Sequence, residues 1–441
     1  MQQFQSILQR RPALTILGLL LLTAIGNAQT PAPTPANILV KEGQKVVFMG
    51  DSITGMGWGD TGGYIHLVVA GLNALGVKIE PLPAGVGGNK SDDMLARLDS
   101  DALSKKPDWL LLSCGVNDVW SRKIDLDTFK KNITSIVDQA QAAGIRVMIL
   151  TPTPIYEMWH TDFSRLSDYV AFMVQLAHDR KLPLADENAA YFAYFKTQPP
   201  DPLNNILTID GVHPNPDGHQ TMAQTVLEAF GVTPDQMTKV KEAWNALPDG
   251  ANLNFGFGIH AETEISAAQD AALEKIAADK KMTMSALVRG QFMESLRDAM
   301  VAHGNLDGYD EDALSKDAQP LFAAKIAKLA PPDPTASPTV TAVAHTNEDG
   351  FTATSEPNGN VKLSIAFGFR GTTAISIPQY NKFKQVALDR KLTKHALTLS
   401  LSMTGVRDAL IAHGDISNVH QDNISSESWP LYAKNVADVL K

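Results

Sequence analysis

The sequence predicts an α/β fold over residues 44–231, a parallel sheet with helices on both faces, followed by a duplicated α+β region of strand-helix-helix units. Three observations predict it. Short apolar runs alternate with amphipathic stretches as far as about residue 231, the pattern of strands buried between two helical layers. The alternation stops after Phe230. Beyond it, MESLRDAMVAHG (293–304) recurs as MTGVRDALIAHG (403–414), 110 residues later and without a gap.

In chain order, residues 1–28 read as an export signal. Arg10 and Arg11 supply positive charge, Ala13 to Ile25 is an almost unbroken apolar run, and Gly26-Asn27-Ala28 offers small residues for cleavage. A run of about 13 residues is short of the roughly 20 that a membrane span needs, so no span is expected once the signal is removed. An uncleaved anchor is the alternative. The arginine pair is that of a twin-arginine leader, but Pro12 follows it directly. The one cysteine, Cys114, excludes an intrachain disulfide and leaves no cysteine for lipid attachment behind the signal. Export without disulfides fits a bacterial periplasm or the extracellular side. Cys114 closes the apolar run DWLLLSC and is expected to be buried packing. Residues 29–43, which include TPAPTP, form a linker.

The α/β region holds candidate strands at 45–50, 77–82, 108–113, 146–151 and, more weakly, 182–187. The helical stretches between them are GYIHLVVAGLNAL, SDDMLARLDSDAL, LDTFKKNITSIVDQAQAAG and LSDYVAFMVQLAHDR. A charged connecting helix occupies 232–253. The two copies then span 254–331 and 361–441, with a Pro/Thr-rich linker at 332–360. Phe257, Gly258, Ile265 and Ser266 match Phe367, Gly368, Ile375 and Ser376, and Pro320-Leu321-Phe322 matches Pro430-Leu431-Tyr432. Each copy reads as a strand, a helix, a second helix ending at Ala-His-Gly, and a terminal helix, with Gly304 and Gly414 as C-caps. His303 and His413 suit helix ends, where an imidazolium meets the dipole; a ligand role is the alternative. DGYDED (307–312) lacks calcium-loop spacing and reads as a solvated loop. Strand, helix, helix resembles the ribbon-helix-helix proteins, which bind DNA as dimers. The net charge of −10 and the export signal argue against that reading, because phosphate binding needs clustered Lys and Arg. No nucleic-acid partner is expected.

Four polar segments follow apolar runs: Gly50-Asp51-Ser52, AGVGGNKSDD (84–93), Gly115-Val116-Asn117-Asp118 and IDGVHPNPDGH (209–219). In parallel sheets, ligands bind beyond the carboxyl ends of the strands. Ester hydrolysis needs a nucleophile, a base, a group to orient the base, and donors for the oxyanion. Asp210 and His213 lie three apart with Gly211 between them, so a tight loop can turn both side chains the same way and leave one ring nitrogen for Ser52. Pro214 and Pro216 stiffen that loop. Glycine lets backbone N–H groups approach a developing oxyanion, and Asn117 can add a side-chain amide. Asp51 is expected to form the turn rather than act as a second acid.

Together these blocks, GDSIT, Gly-Gly-Asn, GVND and DGVHPN, resemble the SGNH hydrolases, also called the GDSL lipase/esterase family, over residues 44–231. The resemblance covers under half of the chain. It implies a flavodoxin-like three-layer α/β/α domain, with Ser52 as nucleophile, His213 as general base and then acid, and Asp210 as its orienter. It implies an oxyanion hole made by the Ser52 N–H, the Gly88 N–H and the Asn117 side chain. Gly87 and Gly88 are adjacent where the family usually has one glycine; Gly88, before Asn89, fits the spacing. No metal or organic cofactor is implied.

Trp58, Trp120, Tyr156 and Trp159 lie beside these segments. Aromatic faces suit sugar rings; the alternative is that they pack the loops. No long apolar loop marks a lipase lid. The expected protein is an exported serine esterase that removes short acyl groups, acetyl foremost, from carbohydrate, its partner being a polysaccharide or small-molecule ester. The alternatives are a lysophospholipase or thioesterase of the same family, and a surface binding protein with a vestigial hydrolase domain. The intact Ser52, Asp210, His213 and Asn117 count against the last.

Overall fold

The computed structural model describes residues 37–121, 124–155, 165–197, 206–332, 345–348, 350–358, 360–416 and 419–441. The expected export signal at 1–28, the TPAPTP segment, Tyr156 and Trp159 lie outside the described residues.

The first part of the chain runs β1 (Lys45–Gly50), α1 (Ser52–Gly59), α2 (Tyr64–Ala74), β2 (Glu80–Gly85), α3 (Ser91–Ala96), α4 (Leu98–Asp101), β3 (Trp109–Ser113), α5 (Val116–Ser121), α6 (Leu126–Ala142), β4 (Arg146–Leu150), α7 (Leu166–Arg180), β5 (Leu184–Ala185), α8 (Glu187–Phe195), α9 (Pro216–Ala229) and α10 (Pro234–Asn245). The five strands form one parallel sheet in the order β2-β1-β3-β4-β5, the flavodoxin-like order. Val46–Met49, Leu110–Leu112 and Val147–Leu150 are buried throughout, as strands covered on both faces must be. Helix α2 packs on α9 and α10, while α6 packs on α3 and α7.

The second strand is displaced from its expected place. Residues 77–82 read as a strand, but β2 runs from Glu80, opposite Lys45, to Gly85, opposite Gly50. Val77 instead closes the end of α2, its N–H on the Leu72 carbonyl at 2.9 Å. Pro81 and Pro83 mislead a sequence reading because neither can donate to a ladder; they are accommodated because β2 is an edge strand. The helix expected across 91–103 is broken into α3 and α4, and β5 shrinks to two residues.

The remainder comprises β6 (Ala251–Ser266), α11 (Ala267–Asp279), α12 (Met284–His303), α13 (Glu311–Leu329), β7 (His345–Glu348), β8 (Phe351–Ser355), β9 (Asn360–Ile375), α14 (Ile377–Asp389), α15 (Lys394–His413) and α16 (Gln421–Val439). β6 and β9 pair antiparallel along their whole length, with Gly258 opposite Gly368. The three helices after β9 begin and end 110 residues beyond those after β6. Their starts are fixed by local chemistry. Ser266 with Gln269, and Ser376 with Gln379, form reciprocal capping boxes, and Thr283 and Thr393 cap the long helices, each cap contributing about 1 kcal/mol. Gly304 and Gly414 end those helices at positive φ.

Three expectations here need correction. The stretch 332–360 is not only a linker: β7 and β8 lie in it, and β8 pairs with β9 from Phe351↔Ile365 to Ser355↔Val361. Phe351 is buried, and a Phe-Thr-x-Thr sequence suits a half-covered strand. The first unit likewise starts at Ala251, not 254. The 307–312 run is not merely solvated. Asp307 pairs with Arg390 and accepts from the Ser400 hydroxyl at 3.0 Å, and Asp310 caps α13. His303 and His413 each find a neighbour at their helix end, the Asn305 carbonyl and the Glu427 carboxylate.

From the first described residue to the last, the chain forms one compact unit. Among the described residues no helix is long and apolar enough to cross a membrane.

Candidate active site

The ends of β1, β2 and β3 deliver three of the polar segments to one edge of the sheet, and the loop before α9 brings the fourth. β1 ends at Gly50, where any side chain would collide with Thr54, the nearest atom being its Oγ1 at 2.1 Å; the chain can turn straight into α1 only because the residue is glycine. Asp51 caps that helix through the Ile53 N–H at 2.9 Å, so it is the turn-forming residue the sequence suggests. Burial pushes its carboxyl up to about 6. Ser52 is the first residue of α1.

His213 reaches Ser52 from the loop before α9. Its Nε2 lies 2.9 Å from Ser52 Oγ, and its Nδ1 lies 2.6 Å from Asp210 Oδ2. The loop between Thr208 and Pro214 is tightly knit. Gly211, at φ +87°, gives its N–H to Thr208 Oγ1, and Ile209 N–H bonds the His213 carbonyl at 2.8 Å. Asp210 Oδ1 takes the N–H groups of Val212 and His213. Asn215 then caps α9 and reaches back to the carbonyls of Ile206 and Thr208. The Asp210 hydrogen bond raises the His213 pKa above its ordinary value, against the opposing effect of burial. Burial works to raise Asp210 itself, but hydrogen bonds from the His213 ring and backbone outweigh it, and its carboxyl stays below the usual range. A hydroxyl, an imidazole and an oriented carboxylate in this order can move a proton off the hydroxyl as it attacks.

The donor side comes from the ends of β2 and β3. Gly87 faces the serine, with a side chain there meeting Ser52 Cβ at 3.9 Å; Gly88 turns the backbone at φ +76°. Among the described residues, none accepts the Ser52 N–H or the Gly88 N–H. Asn117 Nδ2 donates to the Asn89 carbonyl at 3.1 Å, which sets its amide beside this loop. Two residues to which the sequence assigns no role of their own hold the loop in place. Buried Asp118 accepts from the Ser91 N–H and hydroxyl and lies 3.5 Å from Cys114 Sγ. Arg97 donates to the Gly50 carbonyl at 2.8 Å and to Asn89 Oδ1 at 2.7 Å, and pairs with Asp101. The GVND block gave a hint of Asp118; nothing local could have pointed to Arg97. Cys114 is buried, as expected.

Of the aromatic residues, Trp58 stacks on His66 at 4.7 Å, and Trp120 is about half exposed at the end of the helix that carries Asn117. A cavity of about 240 Å³ adjoins Asp210, lined also by Ile209, Asn254, Phe255, Thr398 and Leu399. Among the described residues no group of three or more His, Cys, Asp or Glu side chains is gathered to hold a metal.

Residues 48–221 match the model of the GDSL-like lipase/acylhydrolase family. An acetylxylan esterase from Geobacillus stearothermophilus is 29% identical over 216 residues, 44% of this chain and 96% of that protein. An uncharacterized lipoprotein, YqeF, of Bacillus subtilis (strain 168) is 27% identical over 84 residues, 18% of this chain and 35% of that protein. A crystal structure of Axe2, an acetylxylan esterase from Geobacillus stearothermophilus, is 27% identical, with 44% of this chain and 98% of that one covered at a TM-score of 0.40.

Proposed function

We propose that this chain, whose residues 48–221 belong to the SGNH, or GDSL-like, hydrolase family, is an exported serine esterase that removes short acyl groups, acetyl foremost, from carbohydrate. The observation that carries the reading is the continuous line from Ser52 Oγ through His213 to Asp210, with separations of 2.9 and 2.6 Å. Similarity to an acetylxylan esterase supports the acetyl and carbohydrate choices.

In the proposed reaction Ser52 Oγ attacks the ester carbonyl while His213 Nε2 takes its proton. The tetrahedral oxyanion receives hydrogen bonds from the Ser52 N–H, the Gly88 N–H and the Asn117 amide. His213 then protonates the departing alkoxide, leaving an acyl-serine. Water attacks that ester with His213 again as base, and the free acid leaves. Asp210 keeps Nε2 facing the serine and stabilises the imidazolium. Trp58 and Trp120, with Tyr156 and Trp159, are the candidate sugar contacts, and the cavity beside Asp210 has room for part of the alcohol portion.

Residues 1–28 are proposed to direct export and to be removed, and residues 251–441 to be a duplicated packing module. The N-terminal sequence of the protein recovered from a periplasmic or culture fraction tests the first.

Hydrolysis of p-nitrophenyl acetate, butyrate and octanoate, with acetylated xylan alongside, tests the function in wild type and Ser52→Ala. Rates that fall with acyl length and vanish in the variant support an acetylesterase. A preference for octanoate would transfer the reading to lipid substrates. Equal inactivity of both proteins on every ester would remove it.

A further inference from the structure

The loop that carries Asp210 and His213 is gripped at both feet by residues more than 150 positions away. Lys394 Nζ donates to the Ile206 carbonyl, before the loop, at 2.9 Å and to Asp217 Oδ2, after it, at 2.6 Å. Lys384 Nζ meets Asp217 Oδ1 at 2.9 Å, and the Tyr380 hydroxyl donates to Oδ2, also at 2.9 Å. Asp217 sits in the first turn of α9 and is buried. A buried carboxylate needs such partners, because removing one leaves a charge without compensation. The Ile206 carbonyl also takes the Asn215 amide, so Lys394 and the α9 cap converge on one atom.

The same module holds the serine side. Asn252 Oδ1 of β6 accepts the Gly62 N–H at 2.8 Å, and Asn254 donates to Asp60 at 3.0 Å, in the connection that follows the helix bearing Ser52. The two halves of the module are not equivalent at the gripping face. Tyr380, Lys384 and Lys394 stand 110 residues beyond Asp270, Glu274 and Met284. The capping residues around them are identical in the two halves, Ser266 and Ser376, Gln269 and Gln379, Thr283 and Thr393. Two carboxylates and a thioether could not receive Asp217, so this chemistry admits only the second half onto α9.

We propose that residues 251–441 are a brace for the hydrolytic site, in which Lys394, Lys384 and Tyr380 are positioning residues that fix the feet of the Asp210–His213 loop and thereby the separation of His213 from Ser52. The proposal rests on the esterase reading of Ser52, His213 and Asp210. It gives Lys394, Lys384 and Tyr380 a role in catalysis without contact with substrate.

The test uses the full chain with Lys394→Met and Lys384→Gln, assayed well below their melting temperatures. Three quantities are read: kcat and KM for p-nitrophenyl acetate, and the rate at which phenylmethylsulfonyl fluoride inactivates Ser52. Lys394→Met is expected to lower kcat about 10- to 100-fold with KM within twofold, and to slow inactivation by a similar factor. Lys384→Gln removes one ion pair with Asp217 and the stacking of its ammonium on Tyr380 while Lys394 stays in place, and keeps the test should Lys394→Met not fold; a several-fold loss in the same two quantities is expected. Wild-type activity with kcat and inactivation rate unchanged in the folded variants, and only melting temperature lowered, would overturn the brace and leave the esterase standing. A wild-type chain that hydrolyses no ester and whose Ser52 does not react would take both down.

Discussion

Asp210 uses its two carboxylate oxygens for different tasks: Oδ2 lies 2.6 Å from His213 Nδ1, while Oδ1 holds the N–H groups of Val212 and His213. One oxygen sets the ring and the other sets the loop that carries it. Asp210→Asn can keep the loop, since its amide oxygen still accepts, but presents an amide donor to Nδ1 and favours the wrong tautomer. We expect kcat to fall by about ten-thousandfold with little change in fold. The pH profile gives a second check. In the proposed reaction His213 must be neutral to act as base, and Asp210 raises its pKa, so the acid limb of kcat/KM in the wild type should lie above the ordinary histidine value. In Asp210→Asn the limb should move downward; an unmoved limb would show that another group is being titrated.

Asp51 offers a stability test with the opposite sign from an ordinary paired carboxylate. Burial raises its folded pKa to about 6, against an unfolded value of about 3.9. Its native state therefore favours the protonated form. That contribution is complete below the unfolded value and disappears as pH rises through the folded one. Asp51→Asn keeps a cap for α1 and cannot ionise. It should leave the melting temperature unchanged near pH 3 and raise stability by about 3 kcal/mol at pH 8. A lower melting temperature at pH 8 would mean that the ionised carboxylate is needed where it is.

Much of this was legible in the sequence, for identifiable reasons. β1, β3 and β4 are runs of buried apolar residues, and their periodicity and length mark them without reference to the rest of the chain. Ser52, Asp210 and His213, which the structure brings within hydrogen-bond distance, stand out in the sequence because each sits in a short block with its own turn chemistry. β2 was misplaced because its register is set by pairing to Lys45–Gly50 while its own prolines argue against a strand. β8 was hidden inside a Pro/Thr-rich stretch, and it is a strand because β9 offers it an edge. Arg97 and Lys394 could not have been found locally. Their partners Gly50 and Asp217 lie 47 and 177 positions away, and a lone cation on a helix carries no sign of which carbonyl or carboxylate it will meet.

Arg97 yields a prediction of its own. It bonds the Gly50 carbonyl, two residues before Ser52, and the Asn89 side chain, directly after Gly88. It thus ties the nucleophile's strand end to the glycine loop through one guanidinium. Lysine is a point charge and cannot make these bonds in the fork geometry. Both Arg97→Lys and Arg97→Met should therefore lower kcat by about tenfold or more, with the lysine variant closer to methionine than to wild type. A lysine variant with full activity would show that charge alone matters at this position.

The proposed oxyanion role of Asn117 can be separated from substrate binding. Its amide already gives one hydrogen to the Asn89 carbonyl, so the second is the one available to an oxyanion, and the bond to Asn89 fixes where it points. In the ground state an ester carbonyl is a weak acceptor; in the tetrahedral intermediate the oxygen carries a full charge. Loss of the donor should fall almost entirely on kcat. Asn117→Ala is expected to lower kcat for p-nitrophenyl acetate by about 100- to 1,000-fold and to change KM little. Asn117→Asp, similar in size but an acceptor, should be worse still above neutral pH, since it sets a negative charge against the developing one. Equal losses in kcat and in substrate affinity would instead assign Asn117 to binding, and would leave the N–H groups of Ser52 and Gly88 as the oxyanion donors.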